Sequence, residues 1–345
     1  MQHARFCRSA TRGVASRGYY TKTPWSNGRG ASWTNSPNLL RSMAPRSAGS
    51  SAAAAKTQLD AAVMDQYDTD QTQIFYRTVM GGGGEDIHYG VFKDPATDGV
   101  FEASENTVKL LMDCLEWHAQ EPIGARHVGL DLGSGHGGAT HRIVQRFGCA
   151  MQDMNLCANQ NASNEEKCAA LGIGDKVSVL TASFDGGLPF ATASFDFVWS
   201  EEVFCHAADK KSLLREVQRV LKPGGSLIFT DIMGRDDATQ DALDSFTDRN
   251  ATAIMARPKD YGRWLGEAGL ECEWQLDLSR HLLPYFEKML FQIADNKDEL
   301  KAEGCEEAYL DTWSESLSQR IETQRDARTF AWAAFCARKP LAPYA

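Results

Sequence analysis

"RHVGLDLGSGHGGATHRIVQRFG", residues 126–148, decides the fold. The apolar run that closes on Asp131 reads as a buried strand. The alternating Gly133, Gly135 and Gly137 read as a tight turn, and the residues behind them as a helix. Bare backbone in such a turn can approach a ligand closely, and the helix N-terminus favours a negatively charged group. The spacing is G-x-G-x-G, not the G-x-G-x-x-G of the dinucleotide fingerprint. Any tight strand-to-helix turn can use glycines, so its meaning depends on the surrounding chain.

Outward from this turn the same alternation repeats. "CAMQDMNL" (149–156), "KVSVLTASF" (176–184), "FDFVWS" (195–200) and "SLIFTDIM" (226–233) read as further strands. "KKSLLREVQRVLKPGG" (210–225) reads as a helix stopped by Pro-Gly-Gly, and "RPKDYGRWLGEAGL" (257–270) as another. "ECEWQLDLS" (271–279) and "TFAWAAFCARK" (329–339) are the last two strands, and charged helical sequence lies between them. Strands alternating with helices predict an α/β protein with a doubly wound parallel sheet covered on both faces. The last strand pair has no simple crossover helix and predicts an antiparallel edge. Upstream, "TQLDAAVMDQYDTDQTQIFYRTVM" (57–80) reads as helix, turn, helix, and "GGGGEDIHYGVF" (81–92) as irregular chain. Val108, Leu111, Met112 and Leu115 have helical spacing. The expected organisation is a basic tail over 1–55, an N-terminal helical cap over 56–125, the core over 126–279, a helical insertion over 280–326 and the last core strand over 327–345.

Charge narrows the function. The 345 residues carry a formal charge of −10, but nine of the 36 Lys and Arg precede Asp60 and none of the 46 Asp and Glu do. The rest therefore holds 27 basic against 46 acidic residues. So acidic a body is a poor match for phosphate backbones or anionic membrane surfaces, so neither nucleic acid nor membrane is expected as a partner. No apolar run reaches the roughly 20 residues that cross a bilayer. "MQHARFCRSATRGVASRGYY" (1–20) puts Arg5, Arg8 and Arg12 on one helical face and Phe6, Ala10 and Val14 on another. That is the composition of a transit peptide, mitochondrial in preference to plastid; if it is merely a retained basic tail, the protein is cytoplasmic. The nine cysteines form no C-x-x-C pair, which predicts reduced thiols and no metal centre. The composition leaves the oligomeric state open, a homodimer included.

The motif set resembles the class I S-adenosylmethionine-dependent methyltransferases, which implies a Rossmann-like seven-stranded sheet with helical cap insertions and S-adenosyl-L-methionine as cofactor. By this resemblance Asp131, Gly133, Ser134, Gly135 and Gly137 hold the methionine part of the cofactor. Asn155, with Leu156 beside it, ends the second strand where an acidic residue usually meets the ribose; an amide can still make that bond. Gln160 and Asn161 fall on the ribose side, Ser183 and Phe184 flank the adenine with Asp185 closing their turn, and Ser200 belongs to the fourth-strand segment.

"FYRTVMGGGGEDIHYGVF" (75–92) further resembles the G-G-E-D-I-H-x-G segment of sarcosine/dimethylglycine N-methyltransferases. The likeness continues through "NLCANQN", "FDFVWSEEVFCH", "LKPGGSLIFTDIM" and "AWAAFCARK". It implies a small-carboxylate substrate, methylated on nitrogen towards glycine betaine. The segment from Tyr76 to Tyr89 would cap the sulfonium end of the cofactor, with Tyr76, Met80 and Tyr89 at the substrate and His88 and His206 as the catalytic candidates. A histidine in a tight loop can also simply bond a carbonyl. Two extra glycines are present, and Met80 stands where relatives carry Trp. An aromatic face attracts a methylated ammonium by about 0.5–2 kcal/mol, which a thioether acceptor gains less from. The change therefore leaves room for S-methylation of 4-methylthio-2-hydroxybutyrate towards dimethylsulfoniopropionate. A protein that kept cofactor binding and lost turnover is the remaining alternative. Arg77, Arg257, Arg280 and His281 are candidates for the substrate carboxylate by chain region. Glu201 and Glu202 either order a substrate ammonium or open a helix. Tyr261, Trp264, Trp313 and Trp332 are expected in the core.

Overall fold

β1 (Val128–Leu132) is buried along its whole length, as a strand covered on both faces must be. It pairs in parallel with β2 (Ala150–Asn155), which pairs in parallel with β3 (Val177–Thr181). On its other side β1 pairs in parallel with β4 (Phe195–Glu201), and β4 with β5 (Leu221–Gly234). β7 (Phe330–Arg338) runs antiparallel between β5 and β6 (Glu271–Asp277). The order β3-β2-β1-β4-β5-β7-β6 is the expected doubly wound, Rossmann-like sheet of seven strands with an antiparallel edge pair. This computed structural model describes residues 60–341, apart from positions 65, 250, 251, 253, 254 and 327. The proposed targeting segment and Cys7 lie outside the described residues, and the eight described cysteines are free thiols.

Alternation along the strands sends side chains into two cores. On one face α1 (Asp70–Phe75), α2 (Val100–His118) and α3 (Gly138–Phe147) bring Phe75, Val108, Leu111, Ile143 and Val144 to the core of Met151, Phe197, Trp199 and Ile228. On the other, α5 (Lys210–Val220) and α7 (Pro258–Glu267) bring Leu214, Val217, Tyr261 and Leu265 to the core of Leu130, Val198, Phe229 and Phe335. Each fully buried aliphatic or Phe side chain contributes about 1.5–3 kcal/mol. Tyr261, Trp313 and Trp332 are buried as expected, and Trp264 packs partly buried against the second core. α4 (Ala158–Ala170) follows β2.

Two details differ from the sequence reading. α5 ends at Val220, and "LKPGG" opens β5 instead of closing the helix. Gly224 takes φ +81 there, and the β4–β5 register shifts between Phe195 and Phe197. α6 (Gln240–Arg249) was not expected, because Leu243 and Phe246 are too few apolar positions to show a period.

The cap begins with helical residues 60–64 and 66–67. Thr69 then caps α1 (Asp70–Phe75), accepting from the Thr72 N–H, and α1 widens into a π-turn at Tyr76–Met80. The glycine stretch beyond is irregular, as read. The insertion forms α8 (Leu282–Asp295), α9 (Lys297–Glu303) and α10 (Glu307–Asp326). Cap and insertion meet where Phe75 stacks on Trp313 with ring centroids 4.8 Å apart. The Tyr285 hydroxyl of α8 lies within hydrogen-bond reach of the carbonyls of Met80 (2.9 Å) and His88 (3.0 Å). Among the described residues no helix is long and apolar enough to cross a membrane.

Candidate active site

The three turn glycines are needed for two different reasons. A Cβ at Gly133 would lie 2.2 Å from the Val203 side chain, and one at Gly137 2.2 Å from the Asn164 amide. Those two positions are bare so that the turn can pack. At Gly135, φ +54, a Cβ would meet only Ile87, at 3.8 Å, and would project into a cleft of about 730 Å³ counting its mouth. Between Gly133 and Gly135 the Ser134 hydroxyl is buried with no hydrogen-bond partner among the described residues, and Ser134 itself is not on the cleft wall. Asp131 lies beneath the turn and not on the cleft wall. The Thr140 hydroxyl sits 3.1 Å from Asp131 and 2.7 Å from Asp153, and Asn164 donates to Asp153 at 2.7 Å. One hydroxyl hydrogen cannot serve two carboxylates. Burial drives Asp131 well above the carboxylate range, with Asp153 and Glu201 adding to the rise, and burial lifts Asp153 to about 6. Both carboxyls are thus pushed towards their neutral forms, and Thr140 and Asn164 tie them to the turn. Ser200 also serves the frame, donating to the Leu132 carbonyl at 2.9 Å.

The cleft's walls come from strand ends, as expected of an open α/β sheet. Gly133, Gly135, Asn155, Leu156, Gln160, Ser183, Phe184 and His206 line it, as do Asp185 and Glu202. Asn155 Nδ2 donates to Gln160 (3.0 Å) and Asn161 (3.2 Å), which fixes the amide at the end of β2. Residues missed in the sequence close the remaining side: Asp60, Val63 and Tyr67 of the helical cap segment. The Ser183 hydroxyl donates to Asp60 at 2.9 Å.

A second chamber adjoins the cleft and shares with it Tyr67, Ile87, Glu202 and His206. Tyr76, Met80, His88 and Tyr89, all named from the sequence, line this chamber. Tyr67 stacks on Tyr76 at 5.1 Å, and its hydroxyl lies 3.1 Å from His206 Nε2. Met289, Cys205, Phe246 and Trp313 complete much of the wall; Trp313 thus faces a cavity as well as the core.

His88 is the electrostatic centre. Its Nδ1–H donates to the Tyr89 carbonyl at 3.0 Å, while Nε2 lies 3.4 Å from Glu201 and 3.7 Å from Asp86. Burial alone would push the imidazole down, but Glu201, Asp86 and Glu202 overcome it and hold His88 up at about 10. His88 is therefore held towards its imidazolium form, with two carboxylates facing it. Asp86 also pairs with Arg142 at 2.9 Å. Glu202 is different. It adopts φ +52, a strained conformation for a residue with a side chain, and its backbone N–H donates to Thr230. Its carboxylate accepts from Trp332 Nε1 at 2.6 Å and from the Tyr89 N–H at 3.3 Å. Burial pushes it up to about 7 against the pull of His88. Glu202 is thus a wall residue shared by both cavities and does not open a helix, and it is poised to gain or lose a proton.

The cations expected at a carboxylate are elsewhere. Arg77 pairs with Glu303 at the surface (2.6 Å), and Arg257 holds the carbonyls of Arg235 and Ala238. Arg280 Nε lies 3.1 Å from His281 Nε2 and the Phe92 N–H 3.2 Å from Nδ1, of which a neutral imidazole accepts one, and burial and Arg280 push His281 down to about 4. None of these lines the chamber. Arg320 does, only 6% exposed, on the buried face of α10 that also carries Leu310, Trp313, Leu317 and Ile321 along with Ser316 and Gln324.

Comparison with known proteins accords with this geometry. Residues 130–229 match the family model described as a methyltransferase domain. The chain is 34% identical to the glycine/sarcosine/dimethylglycine N-methyltransferase of Actinopolyspora halophila over 68% of this chain, and spans 40% of that longer relative. It is 30% identical to the dimethylglycine N-methyltransferase of Parasynechococcus marenigrum (strain WH8102) over 81% of this chain and 96% of that one. A crystal structure from Galdieria sulphuraria, assigned as a sarcosine dimethylglycine methyltransferase, superposes with TM-score 0.72 at 30% identity, covering 79% of this chain and 99% of that one.

Proposed function

The chain belongs to the class I S-adenosylmethionine-dependent methyltransferases, and from that membership we propose that it methylates the nitrogen of sarcosine or dimethylglycine on the way to glycine betaine. The observation that carries this reading is the pair of adjoining cavities: a glycine-turn cleft opening onto an aromatic, acid-bearing chamber through Tyr67, Ile87, Glu202 and His206. The relatives named for these substrates support it.

The cleft suits S-adenosyl-L-methionine on its own chemistry. The bare face of Gly135 suits the methionine part, the Asn155 and Gln160 amides the ribose, and Ser183 and Phe184 the adenine. When bound, the cofactor supplies a methyl group carried on a sulfonium. The protein's own work is then orientation, exclusion of water and management of one proton. Tyr67, Tyr76, Tyr89 and Trp313 wall the chamber with rings, which attract an ammonium and shut out solvent. An amine reaching this chamber as an ammonium must shed its proton before its lone pair is available. Glu202 takes that proton at its carboxylate, which stands where the two cavities meet. His88, held as imidazolium, offsets the charge of Glu201 and Asp86.

A second reading follows from Met80, Met289 and Cys205, which bring three sulfur side chains to the same chamber. Polarisable sulfur surroundings suit a thioether, and so suit S-methylation of 4-methylthio-2-hydroxybutyrate towards dimethylsulfoniopropionate. The test is a panel of sarcosine, dimethylglycine and 4-methylthio-2-hydroxybutyrate with full-length protein and cofactor, read by mass spectrometry. We expect products one methylene heavier from the two amines. Product from the thioether alone would move the acceptor to sulfur. Cofactor binding without any product would leave a binding protein. We further propose that residues 1–55 address the enzyme to an organelle, the mitochondrion before the plastid; a fluorescent fusion of that segment retained in the cytoplasm would overturn this.

A further inference from the structure

The nucleoside side of the cleft is walled by two strand ends and by the cap. Asn155 closes β2, and its Nδ2 is occupied in donating to Gln160 and Asn161. Just past β3 the Ser183 hydroxyl accepts from the Asp185 N–H at 3.2 Å and donates to Asp60 Oδ1 at 2.9 Å. The two strand ends therefore offer an amide and a hydroxyl. Four carboxylates line the cleft: Asp60, Asp185, Glu201 and Glu202. Glu201 faces His88, and Glu202 stands where the two cavities meet and holds Trp332 Nε1. Asp185 takes the Ala208 N–H. Asp60 is the one tied directly to Ser183, which the family likeness places beside the adenine. It also lies upstream of every segment that carries that likeness.

The exocyclic amine of adenine carries N–H donors on the edge of the ring, and donors taken out of water need acceptors. A carboxylate is a strong one, and it accepts at two oxygens, so holding the Ser183 hydrogen at Oδ1 does not exhaust it. Val63, Leu156, Ala182 and Phe184 supply apolar wall for the ring itself. We propose that Asp60 reads the base of the cofactor by accepting a hydrogen bond from the adenine amine, with Ser183 as the positioning residue that holds its carboxylate. Base recognition then comes from the cap as well as from the sheet. Tyr67 lies further along the same cap segment, lines both cavities and brings its hydroxyl 3.1 Å from His206 Nε2. A cap seated on the adenine therefore also seats Tyr67 over the chamber. This rests on the cleft being the cofactor's site, and it is indifferent to whether the acceptor atom is nitrogen or sulfur.

The test is calorimetry on full-length protein with S-adenosylhomocysteine and S-inosylhomocysteine, in which a ring carbonyl replaces the amine and a donor becomes an acceptor. Wild type should bind the inosyl compound about thirtyfold more weakly. Asp60→Asn can donate to that carbonyl. It should therefore bind S-adenosylhomocysteine about tenfold more weakly than wild type, yet bind the inosyl compound about threefold more tightly, a gain that a loosened or misfolded cap cannot produce. Asp60→Ala should lose about tenfold on the adenosyl compound and little on the inosyl one. Equal wild-type affinity for the two compounds overturns the proposal, as does adenosyl affinity within twofold of wild type in both variants. Equal losses for the two compounds in both variants also overturn it and leave Asp60 as a brace of the cap. Discrimination that survives Asp60→Asn and vanishes in Asp185→Asn moves the acid to Asp185. Wild type that binds neither compound would remove the cleft as the cofactor's site, whereas tight adenosyl binding indifferent to Asp60 removes only the contact proposed here.

Discussion

Gly135 and Gly137 stand two residues apart and answer to different neighbours. A side chain at Gly135 would enter the cleft, so Gly135→Val should lower S-adenosylhomocysteine affinity at least a hundredfold by calorimetry. At Gly137 the obstacle is the Asn164 amide, so Gly137→Ala should instead lower Tm, and retained stability would show that Asn164 can move aside. Glu202, pushed up to about 7, sets the pH profile. As the proton acceptor it works only when ionised, so kcat/KM should rise with pH through about 7, and Glu202→Gln should remove that limb along with most of the rate. A profile that keeps the limb in the variant would exclude Glu202. His88 carries a stability term of the opposite kind. Its pKa is raised from 6.5 to about 10, so its contribution is complete below 6.5 and is lost as pH rises through about 10. His88→Gln leaves Glu201 and Asp86 facing one another in a buried site and should cost about 3–5 kcal/mol at neutral pH by denaturant melts, less at high pH. The sequence made Tyr76, Met80, His88 and Tyr89 legible through one short motif. Asp86 stands in the same motif, two residues from His88, but nothing local pairs His88 with Glu201, which lies more than a hundred residues away.

At the scale of elements, legibility followed local periodicity. The strand, glycine turn and helix around residues 126–148 declared themselves because apolar run, bare turn and helical spacing fall in immediate succession. "LKPGG" misled because Pro and Gly usually punctuate, whereas pairing with the neighbouring strand carries β5 straight through them. Arg320 was missed for a physical reason: one charge within the stripe of Leu310, Trp313, Leu317 and Ile321 leaves the helical pattern intact, and only packing shows that it turns inward. Asp60, Val63 and Tyr67 were missed because nothing in a short helix states where it will dock. The stack of Phe75 on Trp313 joins cap to insertion. Trp313→Ala should destabilise by about 3–5 kcal/mol in denaturant melts and open the chamber to water. A loss below about 1 kcal/mol would mean that the two elements do not depend on each other.

For the whole molecule, the acidic body and the basic N-terminal stretch separate cleanly in sequence. Removing residues 1–55 should leave cofactor affinity within twofold. Removing residues 1–69 also takes Asp60, Val63 and Tyr67 from the cleft wall and should weaken it tenfold or more, while equal affinities would show that this wall is idle. The sheet has a different kind of long-range dependence. β7 is the seventh strand to be synthesised, yet it sits between β5 and β6 and matches β5 over nine residue pairs. Until it arrives, the inner edge of β5 is bare and β6 has no partner. A ribosome must therefore release the chain through Arg338 before the domain can close, so nascent intermediates present an open, apolar strand edge that invites aggregation or chaperone capture.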